Sequence, residues 1–328
     1  MKTKKFILLL AVIVLSGAIW AGVAQAQPKN IIFFIGDGMG FEHVKAAGYY
    51  AGATLSFESF PYQGELTTYQ YGGGIPDSAA AGTSLATGYK VNAGVISMAY
   101  PGYPPEYPEG SELPTLLEYF KAQDKRTGLV TTSYMTDATP AAFGAHEPKR
   151  GNTEQIADDY RLQTVPNVLF GGGANGMTVW EFANAGYTVV QNRTEMLGLD
   201  TEAKSMVSGQ FGSTNLPYEF EWSGNLPHLS EMTYIALRIL DNDPDGFFLM
   251  VEGGLIDKAS HNYDYSPYRL ERTVHETVEF DNAVQEAIDW AAGRTDTLIL
   301  VTADHETGGL VVLVDNGAGK LPYRLVGN

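Results

Sequence analysis

The sequence predicts an α/β sandwich built around a mainly parallel sheet, and three observations support this class. Short, continuous apolar runs recur along the chain, as in strands that are covered on both faces. Amphipathic helical segments separate these runs, and such alternation is typical of parallel sheets. The 328 residues, 44% of them hydrophobic, are enough to bury a sizeable core as one large domain or two small ones.

The predicted strands are mostly apolar segments that end at glycine, proline or polar residues. The first, residues 30–35, stops at Gly36-Asp37-Gly38. The last clear buried strand is 297–303, and residues 310–314 are expected to pair beside it. The strands between them are predicted over residues 64–71, 127–132, 167–170, 187–190 and 247–251.

Helices are predicted where apolar residues recur with the helical period between these strands. The longest covers residues 269–292, and the residues suited to its inner face are Val274, Val278, Ala283, Ala287 and Trp290. Shorter helices are predicted over residues 113–122, 153–160, 179–185 and 230–240. Residues 99–110, rich in proline, tyrosine and glycine, are predicted to form a surface loop.

The composition excludes several kinds of site and partner. The formal net charge is −17 and no basic stripe is visible, so nucleic acid is not expected as a specific partner. An acidic excess also suits a protein that concentrates divalent cations, although solubility alone would explain it. The absence of cysteine excludes disulfides and thiolate metal sites. Any metal must therefore be held by Asp, Glu, His or hydroxyl groups.

Residues 1–26 have the features of a secretory signal peptide. Lys2, Lys4 and Lys5 form a basic start, an apolar core follows, and Ala24-Gln25-Ala26 is a small-x-small cleavage site. A membrane anchor is the alternative, but the polar residues that come next favour cleavage. We therefore expect a periplasmic or secreted protein with no membrane attachment after cleavage.

The stretch from Asp77 to Thr83 places a serine at the start of a predicted helix. A glycine-rich loop leads into it, and three alanines, the best intrinsic helix formers, follow Ser78. A hydroxyl at this place meets unpaired backbone N–H groups and the positive end of the helix dipole, which favour an alkoxide and bind phosphate. The alternative is that Ser78 only caps the helix, as many serines do.

Acidic residues follow four of the predicted strands at or shortly after their carboxyl ends. These residues are Asp37, Asp137, Glu252 and Asp304. In open α/β sheets ligands bind at that edge. Four acids collected there would repel one another unless cations neutralise them, so the shared position predicts a metal cluster.

Two spacings indicate that zinc is one of the metals. Asp257 and His261 are four residues apart, on one face of a helix if the segment is helical, and this pair suits zinc. Just as often, an Asp and a His at this spacing are only two solvated side chains on one face of a helix. Asp304 and His305 can share one metal if the strand ends there, which the following glycines permit.

The remaining candidates are oxygen ligands and an arginine. An oxygen-only set suits magnesium, and here it consists of Asp37, Thr139 and Glu252. Arg150 follows soon after this region, and an arginine near a phosphate site can grip the anion with two hydrogen bonds. The alternative for Arg150 is a solvated loop charge, and the role of His146, four residues earlier, is ambiguous.

Five motifs resemble those of the alkaline phosphatase family, with matching order and approximate separation over almost the whole chain after residue 26. They are Ile35-Gly36-Asp37-Gly38-Met39-Gly40, Asp77-Ser78-Ala79-Ala80-Ala81, Asp137-Ala138-Thr139, Val251-Glu252-Gly253-Gly254-Leu255-Ile256-Asp257 and Thr302-Ala303-Asp304-His305-Glu306-Thr307-Gly308-Gly309. The resemblance implies an α/β/α sandwich with residues 27–328 as the catalytic domain. It also implies hydrolysis of a broad range of small phosphate monoesters at alkaline pH. Because dimers are usual in the family, a homodimer is expected.

The resemblance implies two zinc ions and one magnesium ion as cofactors. The ligands implied for one zinc are Asp37, Asp304 and His305. The ligands implied for the other zinc are Asp257 and His261. Those implied for magnesium are Asp37, Thr139 and Glu252, with Asp137 supporting the water shell.

The resemblance also assigns the residues that handle phosphate. Ser78 is implied as the nucleophile that becomes phosphorylated, and Arg150 matches the phosphate-gripping arginine of the family. Lys258, paired with Asp137, resembles the bacterial pattern and is implied to help bind substrate. The serine within the Asp77 motif and the lack of cysteine argue against phosphodiesterases and sulfatases of the same fold.

One family ligand has no counterpart in this chain. The zinc of Asp257 and His261 takes a third ligand from a histidine downstream of the Asp304-His305 motif, and no histidine follows His305 here. We therefore expect the C-terminal strands and this ligand to be missing from the given sequence. A weakly active or non-catalytic protein that binds metal and phosphate is the alternative function.

Overall fold

The structure is a computed structural model that describes residues 28–99, 106–313 and 323–325. The predicted signal peptide, residues 1–26, and residues 100–105 of the predicted loop lie outside the described residues. Within the described part of the chain, no helix is both long and apolar enough to cross a membrane.

The central sheet contains parallel strands that are connected by helices. In the described chain these strands are β1 (Asn30–Gly36), β2 (Arg126–Tyr134), β3 (Val168–Gly172), β4 (Thr188–Val190), β5 (Val207–Phe211), β6 (Phe247–Gly253) and β7 (Thr297–Ala303). Their order across the sheet is β4-β5-β3-β2-β6-β1-β7, and every neighbouring pair is parallel. Strand β5 was not predicted, because serine, glycine and glutamine interrupt its apolar pattern.

The helices lie on both faces of this sheet. Those of the described chain are α1 (Phe41–Ala51), α2 (Ser78–Thr87), α3 (Leu116–Lys121), α4 (Ala138–Gly144), α5 (Thr153–Leu162), α6 (Val179–Asn184), α7 (Arg193–Leu197), α8 (Leu229–Leu240), α9 (Leu255–His261) and α10 (Arg269–Ala291). Two short 3₁₀ helices cover Ser56–Ser59 and Glu219–Glu221. The predicted helices, including the one that begins at Ser78, are present, with ends that differ by a few residues from those predicted.

The alternation of side chains along β1 divides the core into two layers. Ile31, Phe33 and Ile35 pack on one face with residues of α2 to α6. Ile32 and Phe34 pack on the other face with residues of α8 and α10. The predicted three-layer α/β/α sandwich is therefore confirmed. The inner strands of its sheet are buried on both sides, the edge strand β4 is partly buried, and the other edge is more exposed.

That edge is β7, which was predicted to be buried. It pairs with β1 on one side, and Leu298 and Leu300 are 39% and 41% exposed. Only one face of β7 packs against the core, through Ile299, Val301 and Ala303. The apolar run predicted burial on both faces, but burial of an edge strand depends on its neighbours and not on its own sequence.

Two further strand predictions are wrong. Residues 64–71, which were predicted to form a strand, form a loop in which Leu66 and Tyr69 are both exposed. Strand β8 (Leu310–Val312) does not pair beside β7 as predicted. It forms a separate antiparallel pair with β9 (Tyr323–Leu325), and residue 314 of the predicted segment lies outside the described residues.

The inner face of α10 differs from the prediction at one position. Val274, Ala283 and Ala287 are buried and Trp290 packs against the core, but Val278 is only half-buried. Phe280, which was not predicted, is fully buried. Its ring makes edge contacts with Phe34, 6.0 Å between ring centroids, and with Phe57, 6.1 Å.

We expect Phe280→Ala to reduce the free energy of unfolding by about 3–5 kcal/mol, because it leaves a cavity between α10 and the sheet. The measurement is urea unfolding followed by circular dichroism. The matched control is Phe41→Ala, since Phe41 is exposed at the start of α1 and its truncation should have little effect. Equal stability of the two variants would contradict the packing described.

Candidate metal and phosphate site

The strand register brings the predicted carboxylates to one edge of the sheet. Strands β2, β6, β1 and β7 are neighbours, and each leads into one of the four acids. Ile35 of β1 lies beside Glu252 of β6, and Gly36 lies beside Ala303 of β7. Asp37 and Asp304, the next residues of β1 and β7, therefore emerge side by side, close to Glu252.

Asp37, Asp304 and His305 form the first group at this edge, and all three are buried. His305 Nε2 lies 3.5 Å from Asp37 Oδ1 and 3.4 Å from Asp304 Oδ2. The backbone amides of Gly38 and His305 donate to Asp304 Oδ1, which holds this carboxylate in place. The strand ends at Ala303, as a shared site for Asp304 and His305 requires.

Asp257 and His261 form the second group, on the short helix α9 that follows β6. His261 Nε2 lies 3.4 Å from Asp257 Oδ1, so the four-residue spacing does bring the two side chains together. Thr307 Oγ1 donates to Asp257 Oδ1 at 2.5 Å. Gly38 has a φ of +69°, and a Cβ there would lie 2.9 Å from Asp257 Oδ1, so this position favours glycine.

The two groups are close to each other. Ligand atoms of Asp37, Asp257 and His305 all lie within 4.8 Å of one another. Thr307 also contacts both groups, because its Oγ1 lies 3.2 Å from His305 Nδ1. Thr307 was not predicted as a site residue although it belongs to the Asp304 motif, because a threonine in a loop gives no spacing signal.

Glu252 is the centre of an oxygen-rich third group. Its Oε2 accepts a short hydrogen bond from Thr131 Oγ1 of the neighbouring strand. The Thr139 hydroxyl is near enough to influence the pKa of Glu252, yet Thr139 Oγ1 makes no hydrogen bond of good geometry. Ser133 Oγ is also buried without a partner. Gly254 leaves room here, since a Cβ would lie 2.2 Å from Ser133 Oγ.

Burial and mutual repulsion disfavour the charged form of these acids. Burial raises the pKa of Asp37, and the charges of Asp304, Asp257 and Glu252 raise it further. Burial also raises the pKa of Glu252 to about 7. The pKa of Asp304 is raised for the same main reason.

The residues present fit divalent cations. Asp304 Oδ2 and Thr139 Oγ1 are buried without hydrogen-bond partners, although a buried polar atom normally has one. A cation at each group would satisfy these atoms and neutralise the repelling carboxylates. The Asp and His donors of the first two groups suit zinc, and the oxygen donors around Glu252 suit magnesium.

Ser78 lies beside Asp37 of this cluster as the first residue of α2. The N-cap is Asp77, whose Oδ1 accepts from Ala80 N at 3.0 Å, so Ser78 is not needed as a cap. Ser78 Oγ instead lies 3.3 Å from Asp37 Oδ2. The side chain is largely buried and directed at the first group.

Arg150, Lys258 and Asp137 form an ion network beside Ser78. Asp137 accepts from Lys258 Nζ at 2.6 Å and from Arg150 Nη2 at 3.0 Å. Arg150 Nη1 also donates to Asp77 at 3.2 Å, so the guanidinium is tied to the residue before Ser78. Arg150 is therefore a positioned side chain and not a solvated loop charge.

Asp137 differs from the other acids because cations already surround it. Its burial favours the neutral form, but Lys258 and Arg150 outweigh this effect and hold its pKa well below the usual range. Asp137 raises the pKa of Lys258 in turn, against the effect of burial. Among the acids predicted for the metal cluster, Asp137 is thus the one whose negative charge is balanced by cationic side chains of the protein.

Other histidines lie outside this cluster. His146 Nδ1 contacts Ser97 O at 2.9 Å, and Nε2 contacts Glu118 at 3.1 Å, so its ring is committed elsewhere. His43 is buried between Gly40 and Ser260. His228 has no acidic neighbour in a sequence motif, but its Nδ1 lies 2.8 Å from Glu219 Oε2. That partner comes from a separate 3₁₀ helix and could not be read from local motifs.

Comparison with known proteins agrees with the geometry. A sequence model described as alkaline phosphatase matches residues 28–179 and 178–321. Alkaline phosphatase 3 of Bacillus subtilis (strain 168) is 37% identical over 311 residues, covering 89% of this chain and 64% of that protein. The chain thus spans slightly less than two thirds of that relative's length.

Solved structures of a bacterial enzyme are also similar. The alkaline phosphatase of the Antarctic bacterium TAB5 matches with a TM-score of 0.79 and 26% identity, over 92% of this chain and 88% of that one. A variant of the same enzyme with magnesium bound matches with a TM-score of 0.75 and 25% identity, over 92% and 85% of the two chains.

We expect the metal-free protein to lose stability as the pH rises through 7. The folded-state pKa of Glu252 is raised to about 7 from 4.5, so the folded state holds a proton that the unfolded chain releases in this window. The loss should be roughly 3 kcal/mol, measured by urea unfolding in chelator between pH 4.5 and 8.

The control for this loss is Glu252→Gln, which cannot ionise and should remove the part of the pH dependence that Glu252 contributes, whereas Asp37 and Asp304, whose pKa values are also raised, keep theirs. Added Zn²⁺ and Mg²⁺ should remove it as well, because cations favour the ionised carboxylate. Asp137 does not interfere, since its lowered pKa acts below this window. A Gln variant with an unchanged slope would contradict the assignment to Glu252.

Proposed function

Because this chain belongs to the alkaline phosphatase family, we propose that it hydrolyses phosphate monoesters with Ser78 as the nucleophile. The observation that carries the proposal is the position of Ser78 Oγ, 3.3 Å from Asp37 in the carboxylate cluster. Arg150 is anchored through Asp77 to the same helix start, where an anion would be held.

We propose two zinc ions and one magnesium ion as cofactors. Asp37, Asp304 and His305 would hold one zinc, and Asp257 with His261 would hold the other. Asp37, Thr139 and Glu252 would hold magnesium, with Asp137 beside them. When bound, these cations would lower the pKa of the Ser78 hydroxyl and neutralise charge on the leaving alkoxide.

In the proposed reaction Ser78 is phosphorylated and then regenerated. Ser78 Oγ loses its proton to solvent water and forms a bond to phosphorus as the ester P–O bond breaks, and the leaving alkoxide takes up a proton from water. A water molecule then attacks the phosphoserine, releasing inorganic phosphate and restoring the hydroxyl. Asp37 orients Ser78 for the first step, because it accepts the hydrogen bond of that hydroxyl.

Arg150 and Lys258 would bind the phosphoryl group. Asp137 fixes both cations, and Asp77 fixes the second end of the guanidinium, so little reorganisation is needed when an anion arrives. The guanidinium suits two oxygens of one phosphoryl group. Because these contacts address the phosphoryl group, we propose small phosphomonoesters of many kinds as substrates.

A weakly active or non-catalytic metal-binding protein is the second candidate, and one observation favours it. Among the described residues, Asp257 has His261 and Thr307 as its nearest polar partners, and Thr307 is a weak zinc ligand. Retention of zinc after dialysis, together with turnover of p-nitrophenyl phosphate, would distinguish the two candidates.

Location and assembly are proposed on the same basis. We propose export through residues 1–26, which precede the described chain, to the periplasm or the medium. A homodimer is proposed from the family, and the high negative charge argues against nucleic acid as a specific partner. Alkaline pH should favour turnover, because it favours the ionised form of the Ser78 hydroxyl, which the bound cations would stabilise.

Ser78→Ala should lower kcat for p-nitrophenyl phosphate by several orders of magnitude, since the covalent step is lost. Metal content should stay unchanged. The matched control is Ser84→Ala on the same helix, whose hydroxyl donates to Ala80 O and should be dispensable. Labelled phosphate trapped on Thr83 or Ser84 would show that the nucleophile is misassigned.

Arg150→Ala should raise the inhibition constant for inorganic phosphate roughly tenfold to a hundredfold, because a charge-assisted contact is lost. Zinc content should not change, since Arg150 is not among the proposed ligands. Lys149→Ala removes a neighbouring exposed charge and serves as the control. An unchanged phosphate constant in the Arg150 variant would remove it from the proposed site.

A further inference from the structure

The chain just beyond the proposed zinc helix α9 carries an exposed tyrosine, Tyr263, that belongs to none of the five sequence motifs. The ring of Tyr263 stacks on the imidazole of His261, with 4.7 Å between centroids and 20° between planes. Tyr263 is nevertheless 71% exposed. One face of its ring is therefore covered by His261, and the ring remains open to solvent elsewhere.

Tyr263 lies beside the site. The imidazole on which it stacks belongs to His261, whose Nε2 lies 3.4 Å from Asp257 Oδ1. His261 and Tyr263 are exposed, whereas Asp257 is buried. The tyrosine thus stands at the rim of the cluster.

The in-line geometry of the proposed reaction determines which part of the substrate lies at this rim. In phosphoryl transfer the attacking and leaving oxygens lie roughly in line on opposite sides of phosphorus. Ser78 contacts Asp37 in the buried part of the cluster, whereas His261, beside Asp257, is exposed. A leaving group opposite Ser78 would therefore extend outward past His261.

We propose that Tyr263 forms an aromatic subsite for the leaving group, which favours aryl phosphates over alkyl phosphates. The proposal rests on the proposed phosphomonoesterase function. A flat aromatic leaving group can pack against the open ring, and aromatic pairs gain stabilisation beyond the area that they bury. An alkyl group of similar size gains less from the same contact.

The neighbouring tyrosines do not share this position. Tyr265 is 90% exposed, and Tyr268 packs on Phe220 with 5.3 Å between centroids. Tyr265 lies in the same loop and has the same side chain, so it offers a matched control. The subsite is thus assigned to Tyr263 and not to the tyrosine-rich loop as a whole.

The test compares Tyr263→Leu, Tyr263→Phe and Tyr265→Leu in the full chain loaded with Zn²⁺ and Mg²⁺. Binding is measured as the inhibition constants of benzylphosphonate and butylphosphonate, which cannot be hydrolysed at the P–C bond. We expect Tyr263→Leu to raise the inhibition constant of benzylphosphonate roughly threefold to tenfold. The inhibition constants of butylphosphonate and inorganic phosphate should change little. Tyr263→Phe, which keeps the ring, and Tyr265→Leu should behave like the wild type.

Zinc content and turnover of butyl phosphate are measured on the same samples. If Tyr263→Leu weakens the binding of both phosphonates equally, or loses zinc, Tyr263 only positions His261 and the proposal is overturned. The same selective loss in Tyr265→Leu would overturn it too. If wild-type protein binds phosphonates selectively but hydrolyses neither phenyl phosphate nor butyl phosphate, the proposed function fails while the subsite stands.

Discussion

The constraint on which the site depends is the repulsion among buried carboxylates at one edge of the sheet. Asp37, Glu252, Asp257 and Asp304 are all buried and close enough for their charges to act on one another. Apolar strands place them there, because a parallel sheet buried on both faces ends its neighbouring strands together. The fold therefore brings buried carboxylates together at a cost in free energy, and cations bound there would relieve this repulsion.

In the two halves of this sheet edge, the negative charge of the carboxylates is balanced in different ways. Around Asp137 the protein supplies its own cations, Lys258 and Arg150, and the pKa of the carboxyl stays low. Around Asp37 and Glu252 the burial is similar, yet the pKa values are raised and Thr139 Oγ1 has no hydrogen-bond partner. The compensated half suits an anion held by fixed cations, and the uncompensated half suits metal ions.

Asp77 connects these halves through the backbone. Its carboxylate accepts from Ala80 N at the start of α2, from Gly94 N of a neighbouring loop, and from Arg150. One side chain thus fixes the helix start, the position of Ser78 and one end of the guanidinium. The glycine-rich approach and the run of alanines predicted a helix start, but the link to Arg150 joins residues 73 positions apart.

The sequence by itself determined the fold class, the acids at the strand ends, the Asp257–His261 pair and Ser78 at a helix start. Each depends on local patterns, namely apolar runs, helical spacing and capping, which act over a few residues. The tertiary structure alone decided that β7 is a half-exposed edge, that β8 pairs away from it, and that residues 64–71 form a loop. It also decided that Thr307 contacts both proposed zinc groups and that Tyr263 stacks on His261. These features depend on which distant segments of the chain come into contact. Burial and contacts that depend on such neighbours leave no periodic pattern in the sequence.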